Sequence, residues 1–308
     1  MGFLSSLLGK NEQKNDRQQQ QEQRNFDILK YDGIRARNIG QLPYAIRCFE
    51  EALALNGSDV ETVLYLAKSY LQLQRLTDAR TLLEQFVERE TGQPQIWLTL
   101  AHLCFLQEDY TGMGKAAGQA IALDERNPLA HYLAGKAAYG EQNFLQAIVL
   151  LTQALSYDET LADAYLLRAE VLWHMGQAKD ALEDVEKVLS AAEPSEEALL
   201  LKSEILATTG DTDAAATCLD AVLEMNPFNE KAYRLKGNLL LLTRQTEDAL
   251  RLYDEAIDLM PENSLLYAER GRARLQAGDK EGSIADIKKA IELNPACEQR
   301  ISGTFDNH

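Results

Sequence analysis

Apolar residues recur along this chain with a period of 34 positions, and each period contains two stripes of helical spacing. Numbered from the first residue of a period, the apolar side chains fall at places 4, 8 and 11 and again at places 20, 24, 27 and 28. Each stripe has the 3.6-residue spacing that gives a helix one apolar face. The pattern predicts a helical hairpin repeated in tandem, and therefore an all-α fold.

Eight such repeats follow one another without insertion or deletion, over residues 26–59, 60–93, 94–127, 128–161, 162–195, 196–229, 230–263 and 264–297. Place 8 is always small: Gly33, Ala67, Ala101, Gly135, Ala169, Ser203, Gly237 and Gly271. Place 20 is small in every repeat except the third, which has Met113, and place 28 is aliphatic from Leu53 to Ile291. Small residues in register let neighbouring helices approach closely.

Turn and capping residues divide each repeat at the same points. Glycine stands at the break between the two helices in four repeats, at Gly40, Gly176, Gly210 and Gly278, where a left-handed residue ends a helix. The last place of a repeat supplies predicted N-cap residues at Asp59, Asn127, Ser195, Asn229 and Asn263. Pro94 and Pro128 occupy the next place, where a missing N–H costs nothing.

The small residues at places 8 and 20, an aromatic residue at place 4 in several repeats (Trp97, Tyr165, Tyr233 and Tyr267), and proline near the repeat ends resemble the tetratricopeptide repeat. The resemblance covers residues 26–297. It implies an α-solenoid of stacked antiparallel helix pairs, wound as a right-handed superhelix of about one turn. The first helices would line a concave groove and the second helices the convex face.

Three parts of the chain depart from this regular pattern. Residues 1–25 contain a glutamine run and no apolar period, and we expect a flexible or weakly helical tail with a short apolar start at Phe3 to Leu8. Gly112, Gly114 and Gly118 weaken the second helix of the third repeat, which we expect to be the softest. Residues 298–308 form a short C-terminal tail that leaves the last repeat thinly covered.

Composition excludes several classes of function. A net charge of −17 repels phosphate backbones and anionic lipid, so we expect no nucleic-acid partner and no stable membrane insertion. The four cysteines are far apart, the histidines lack zinc spacing, and no catalytic motif occurs, so we expect no metal, no cofactor and no enzymatic activity. Without a signal segment, the expected location is cytoplasmic.

The predicted groove lining follows from helix geometry. If places 4, 8 and 11 face the interior, then places 2, 9 and 13 point away from it, flanked by places 5 and 12. In the third to fifth repeats the predicted lining contains Leu98, His102, Phe105, Tyr132, Lys136, Tyr139, Leu166, Glu170, Trp173 and His174. Phe105, Tyr139 and Trp173 share place 12, and this aromatic ladder is interpreted either as a peptide site or as packing between first helices.

A second ladder is basic. Arg168, Lys202, Lys236 and Arg270 recur at place 7 of four successive repeats, and we interpret them either as structural residues or as a site for an acidic segment. The two-carboxylate clamp that binds heat-shock chaperones in one class of these repeats is not expected, because Ile34 replaces an asparagine that it needs in the first repeat and Glu269 replaces another in the eighth.

The resemblance implies a non-catalytic scaffold that binds a protein or peptide segment in the concave groove. Two alternatives stay open. One is a self-assembling structural protein, a homo-oligomer that uses the C-terminal repeat or the apolar start of the chain. The other is a regulatory arm of a larger enzyme complex. The repeat pattern specifies a shape and leaves the partner unnamed.

Overall fold

The computed structural model describes residues 2–191 and 195–295, and within them every regular element is an α-helix. Short turns join the helices, and no strand occurs in these two ranges. The sixteen helices are α1 Gly2–Asn38, α2 Leu42–Leu55, α3 Val60–Gln72, α4 Leu76–Val87, α5 Pro94–Leu106, α6 Tyr110–Leu123, α7 Pro128–Gly140, α8 Phe144–Tyr157, α9 Ala162–His174, α10 Ala178–Ala191, α11 Glu196–Thr209, α12 Thr212–Met225, α13 Glu230–Leu242, α14 Thr246–Leu259, α15 Ser264–Gln276 and α16 Lys280–Leu293. The predicted all-α solenoid class is confirmed.

The helices keep the sequence period. From α3 to α15, each odd-numbered helix begins 34 residues after the previous one, at the first place of its repeat. The described part of each repeat contributes one odd-numbered first helix and one even-numbered second helix. The predicted C-terminal tail, residues 298–308, lies outside the described residues.

All five predicted N-caps accept a hydrogen bond from the backbone of the following helix. The Asp59 carboxylate accepts from the Thr62 amide at 2.8 Å, and the Asn127 side chain accepts from Ala130 at 3.0 Å. Ser195, Asn229 and Asn263 do the same for α11, α13 and α15. These bonds satisfy amides that the first turn of a helix leaves free, and so fix where each first helix begins.

The turn inside every repeat has a left-handed residue at place 15. Four repeats have glycine there, as predicted for a left-handed turn: Gly40, Gly176, Gly210 and Gly278, with φ between 77° and 88°. The other four repeats place Gln74, Glu108, Gln142 and Arg244 in the same conformation, with φ between 57° and 62°. The solenoid therefore imposes this geometry even where the residue carries a side chain that disfavours it.

The small columns are the contact surfaces of the hairpins. Seven of the eight place-20 residues, from Ala45 to Ala249, have no exposed surface, and the eighth, Ser283, is buried too. At place 8, Ala67, Ala101 and Ala169 are also fully buried. Because these side chains are short, the two helices of a repeat pack closely and bury their apolar stripes against each other.

The N-terminal segment is helical. Residues 2–25 belong to the first helix, which runs unbroken to Asn38. Glutamine, glutamate, lysine and arginine favour a helix, and bonds one turn apart support it, from Gln18 to Glu22 at 3.1 Å and from Gln21 to Asn25 at 2.9 Å. The side chains from Gln18 to Asn25 are exposed, and the apolar core begins at Phe26.

The chain divides into two compact bodies, residues 1–164 and residues 165–308, called here the N-terminal and the C-terminal body. In the N-terminal body, α1 contacts α3, α3 contacts α5, and α5 contacts α7, whereas its second helices make no such contacts with one another. The first helices lie closer together than the second helices do, so they occupy the inner, concave side of the body. We call the surface of the first helices that faces away from the second helices the first-helix face.

Candidate functional site

The centre of the first-helix face of the N-terminal body is a cluster of a cation and two rings. The Lys136 ammonium on α7 lies 3.7 Å from the centroid of the Phe105 ring on α5 and 5.8 Å from the Tyr132 ring. Phe105 occupies place 12 of the third repeat, and Lys136 occupies place 9 of the fourth, so the neighbouring repeats bring them together. A cation over a ring face is attracted by the ring quadrupole.

The rings of this cluster are half-buried. Leu98, Phe105 and Tyr132 pack with one side against the core of the N-terminal body and keep the other side accessible. His102 is exposed, and its ring centroid is 6.4 Å from that of Phe105. Tyr139, also half-buried, contacts Phe144 at 6.0 Å between centroids. Phe105 therefore packs against the core with one side of its ring and leaves the other side accessible to a ligand.

The other four predicted site residues belong to the C-terminal body. Leu166 is buried, with 8% of its surface exposed, and offers a ligand little area. Trp173 is half-buried and donates a hydrogen bond from Nε1 to Thr208 Oγ1 at 3.1 Å. The ring of the exposed His174 stacks on Trp173 at 5.6 Å, and Glu170 is half-buried. Trp173, at place 12, thus contacts α11, the first helix of the next repeat, as Phe105 contacts α7.

Residues of the first repeat also belong to the first-helix face, although the sequence did not single them out. The Arg37 guanidinium lies 4.9 Å from the centroid of the Tyr65 ring. Arg37 occupies place 12, the place of Phe105, and that recurrence is the signal that identifies it. Lys30 pairs with Asp59 at 3.0 Å and with Glu61 at 2.6 Å. Burial opposes the charge, but these two carboxylates raise the pKa of Lys30.

The basic ladder at place 7 is neutralised within the protein. Arg168 donates two bonds of 2.7 Å to Asp184, and Lys202 pairs with Glu186 at 2.5 Å. Lys236 pairs with Asp220, and Arg270 lies between Asp254 and Asp286, each at 2.6 Å. The partners stand 16 residues away, on the second helix of the same repeat or of the preceding one. These contacts assign the ladder to structure.

Two features of the described residues bear on catalysis: the state of their cysteines and the arrangement of their metal-ligating side chains. Cys48, Cys104 and Cys218 are free and buried, and burial raises the pKa of each thiol, which disfavours the nucleophilic thiolate. No three metal-ligating side chains lie together in the part of the chain that was searched. His131, at place 4 of the fourth repeat, is buried, and its Nε2 lies 2.9 Å from the Glu125 carbonyl. None of the described helices combines the length and the apolar character that crossing a bilayer requires.

Comparisons with solved structures agree on the fold. PilW, a type IV pilus biogenesis factor, is 19% identical, with 67% of this chain and 96% of that chain covered and a TM-score of 0.60. The Pseudomonas aeruginosa protein pilF is 14% identical, with 70% and 99% covered and a TM-score of 0.59. A tetratricopeptide repeat protein from Parabacteroides merdae is 14% identical, with 90% and 97% covered and a TM-score of 0.57. No curated protein matches the chain.

Family models give the decisive match. One model described as tetratricopeptide repeat matches residues 132–197, 200–264 and 243–297, and a second model with the same description matches residues 40–103. Together these ranges cover well over half of the chain. The protein therefore belongs to the tetratricopeptide-repeat family, whose helical hairpins build scaffolds for protein–protein interaction.

Proposed function

We propose that this protein is a non-catalytic scaffold that binds a segment of another protein on its first-helix face. The observation that carries the proposal is the cluster of Lys136, Phe105 and Tyr132 on α5 and α7. It combines accessible aromatic area with a positive charge on neighbouring helices. Tyr139 and His102 extend the same surface, and Trp173, His174 and Glu170 are the candidates in the C-terminal body.

The half-burial of these rings suits them to binding. Phe105 and Tyr132 are held by the core on one side, so little side-chain entropy is left to lose when a ligand covers the other side. Aromatic residues carry a large share of the binding energy at protein interfaces. An extended peptide segment laid across α3, α5 and α7 would contact successive repeats at equivalent places.

The scaffold is proposed to work in the cytoplasm. Its three described cysteines are free, buried and distributed over separate repeats, which fits a reducing compartment.

The test begins with peptides selected from a random displayed library on the full-length protein, whose affinities are then measured by fluorescence anisotropy. The variant F105S/Y139S should lose most of the affinity while its circular dichroism spectrum stays helical. The control L145S/V149S removes two exposed apolar side chains from α8, a second helix of the same body, and should bind as the parent does. Equal loss in both variants, or retained binding by F105S/Y139S, would refute the proposal.

A further inference from the structure

We propose that the segment bound by the N-terminal body is acidic, with carboxylates at about every third residue; this rests on the proposed function. The candidate recognition residues are Lys68, His102 and Lys136, called here the place-9 ladder. They occupy place 9 of three successive repeats, on α3, α5 and α7. Lys68 and His102 are exposed, and Lys136 is half-buried over Phe105.

The place-7 and place-9 ladders differ in whether their cations have carboxylate partners within the protein. Each cation of the place-7 ladder has a carboxylate of the protein within ion-pair distance. Within the described residues, by contrast, neither Lys68 nor Lys136 forms an ion pair with a carboxylate. In a chain that has 48 acidic and 31 basic residues, two lysines at the same place of the repeat without a counter-charge are conspicuous. An external carboxylate would supply the missing partner.

The surface around Lys68, His102 and Lys136 has few negative charges. Along α3, α5 and α7 the one carboxylate is Glu61, and it is already paired with Lys30. The part of the first-helix face that α3, α5 and α7 form is therefore positive, although the protein as a whole is strongly negative. Such a local field steers an acidic segment to this face and repels a basic one.

The distance between successive first helices sets the spacing of the carboxylates in the proposed segment. Packed helices lie roughly 8–10 Å apart, and an extended peptide advances about 3.3 Å per residue. One step of the place-9 ladder therefore corresponds to about three peptide residues. Carboxylates at positions i, i+3 and i+6 would reach successive ladder residues, and apolar residues between them would contact Phe105 and Tyr132.

The experiment uses the full-length protein and fluorescein-labelled dodecapeptides that have aspartate, asparagine or lysine at every third position and leucine and tyrosine elsewhere. The aspartate peptide should bind about tenfold more tightly than the asparagine peptide at low salt, and added salt should reduce the difference. The variant K68E/K136E should reverse the preference in favour of the lysine peptide. The control K115E, which makes the same change of charge on α6, should keep the preference for aspartate.

Several results would overturn the inference. They are equal affinity for the aspartate and asparagine peptides, no measurable binding of the aspartate peptide, or an equal effect of K115E. Tighter binding of a single-stranded RNA dodecamer would assign the positive face to nucleic acid instead. If the asparagine peptide binds as well as the aspartate peptide and F105S/Y139S abolishes both, the acidic preference fails while the proposed function survives.

Discussion

Gly33 faces the ring of Phe49 so closely that a Cβ on the glycine would lie 2.6 Å from Phe49 Cε1. The two residues occupy places 8 and 24 of the first repeat. The seventh repeat shows the same pairing, since the fully buried Tyr253 contacts Gly237. Where place 24 is aromatic, place 8 is therefore glycine, because the ring leaves no room for a Cβ.

This pairing predicts the effect of one methyl group. Gly33→Ala should lower the free energy of unfolding by about 1–3 kcal/mol, because the ring of Phe49 has no room to move aside. The double variant G33A/F49L should recover part of the loss, since the second repeat already combines Ala67 with Leu83. Urea unfolding followed by circular dichroism measures both.

The control is Gly118→Ala in α6. Gly118 lies inside the helix, and no atom would stand within 4 Å of an added Cβ. This change should raise stability by up to about 1 kcal/mol. A loss of the same size in G118A as in G33A would show that glycine is needed for a reason other than the ring.

The left-handed turn gives a second prediction. Gln142 has a φ of 61°, a conformation that costs a residue with a side chain roughly 1–2 kcal/mol. After the entropy cost of glycine, Gln142→Gly should still stabilise the protein by up to about 1 kcal/mol. Gln153→Gly, at an exposed helical position of α8, should instead destabilise it by about 1 kcal/mol, and a rise in melting temperature for both variants would contradict the argument.

Much of the fold was predictable from the sequence because its determinants are local. The five N-caps, the four glycine turns and the small columns are each a single residue type at a fixed place, and the structure confirms them. The left-handed Gln74, Glu108, Gln142 and Arg244 were not predictable, because the solenoid imposes that geometry against their own preference. Residues 2–25 have no apolar period, so the sequence left open whether they form a flexible or a weakly helical segment.

The site was less predictable because it depends on pairs from different helices. The sequence showed that Arg168 recurs in a basic ladder, but only the packing of helices brings Asp184 within 2.7 Å. The same holds for Lys136 over Phe105, whose residues are 31 positions apart. The place-7 ladder is therefore structural, whereas we propose that the place-9 ladder binds a partner; periodicity alone does not distinguish the two.

The ion pair of Arg168 and Asp184 provides a third prediction. Asp184 is buried, and the bond it accepts raises the pKa of Arg168 and holds the guanidinium charged. Asp184→Asn should destabilise the protein by about 3 kcal/mol, because the half-buried arginine then loses the negative charge of the side chain to which it donates two bonds. Glu186→Gln, which breaks the more exposed pair with Lys202, should cost at most about 1 kcal/mol. Similar losses in the two variants would argue against burial as the cause.

Hydrogen–deuterium exchange of the full-length protein, with and without a saturating selected peptide, shows whether the partner binds on the first-helix face. Amides hydrogen-bonded inside a helix exchange more slowly when a ligand suppresses local opening of that helix. We expect the peptide to increase protection in α3, α5 and α7, the first helices that carry Lys68, Phe105 and Lys136. Increased protection confined to the second helices α4, α6 and α8 would contradict this expectation, because the partner would then bind on the opposite side.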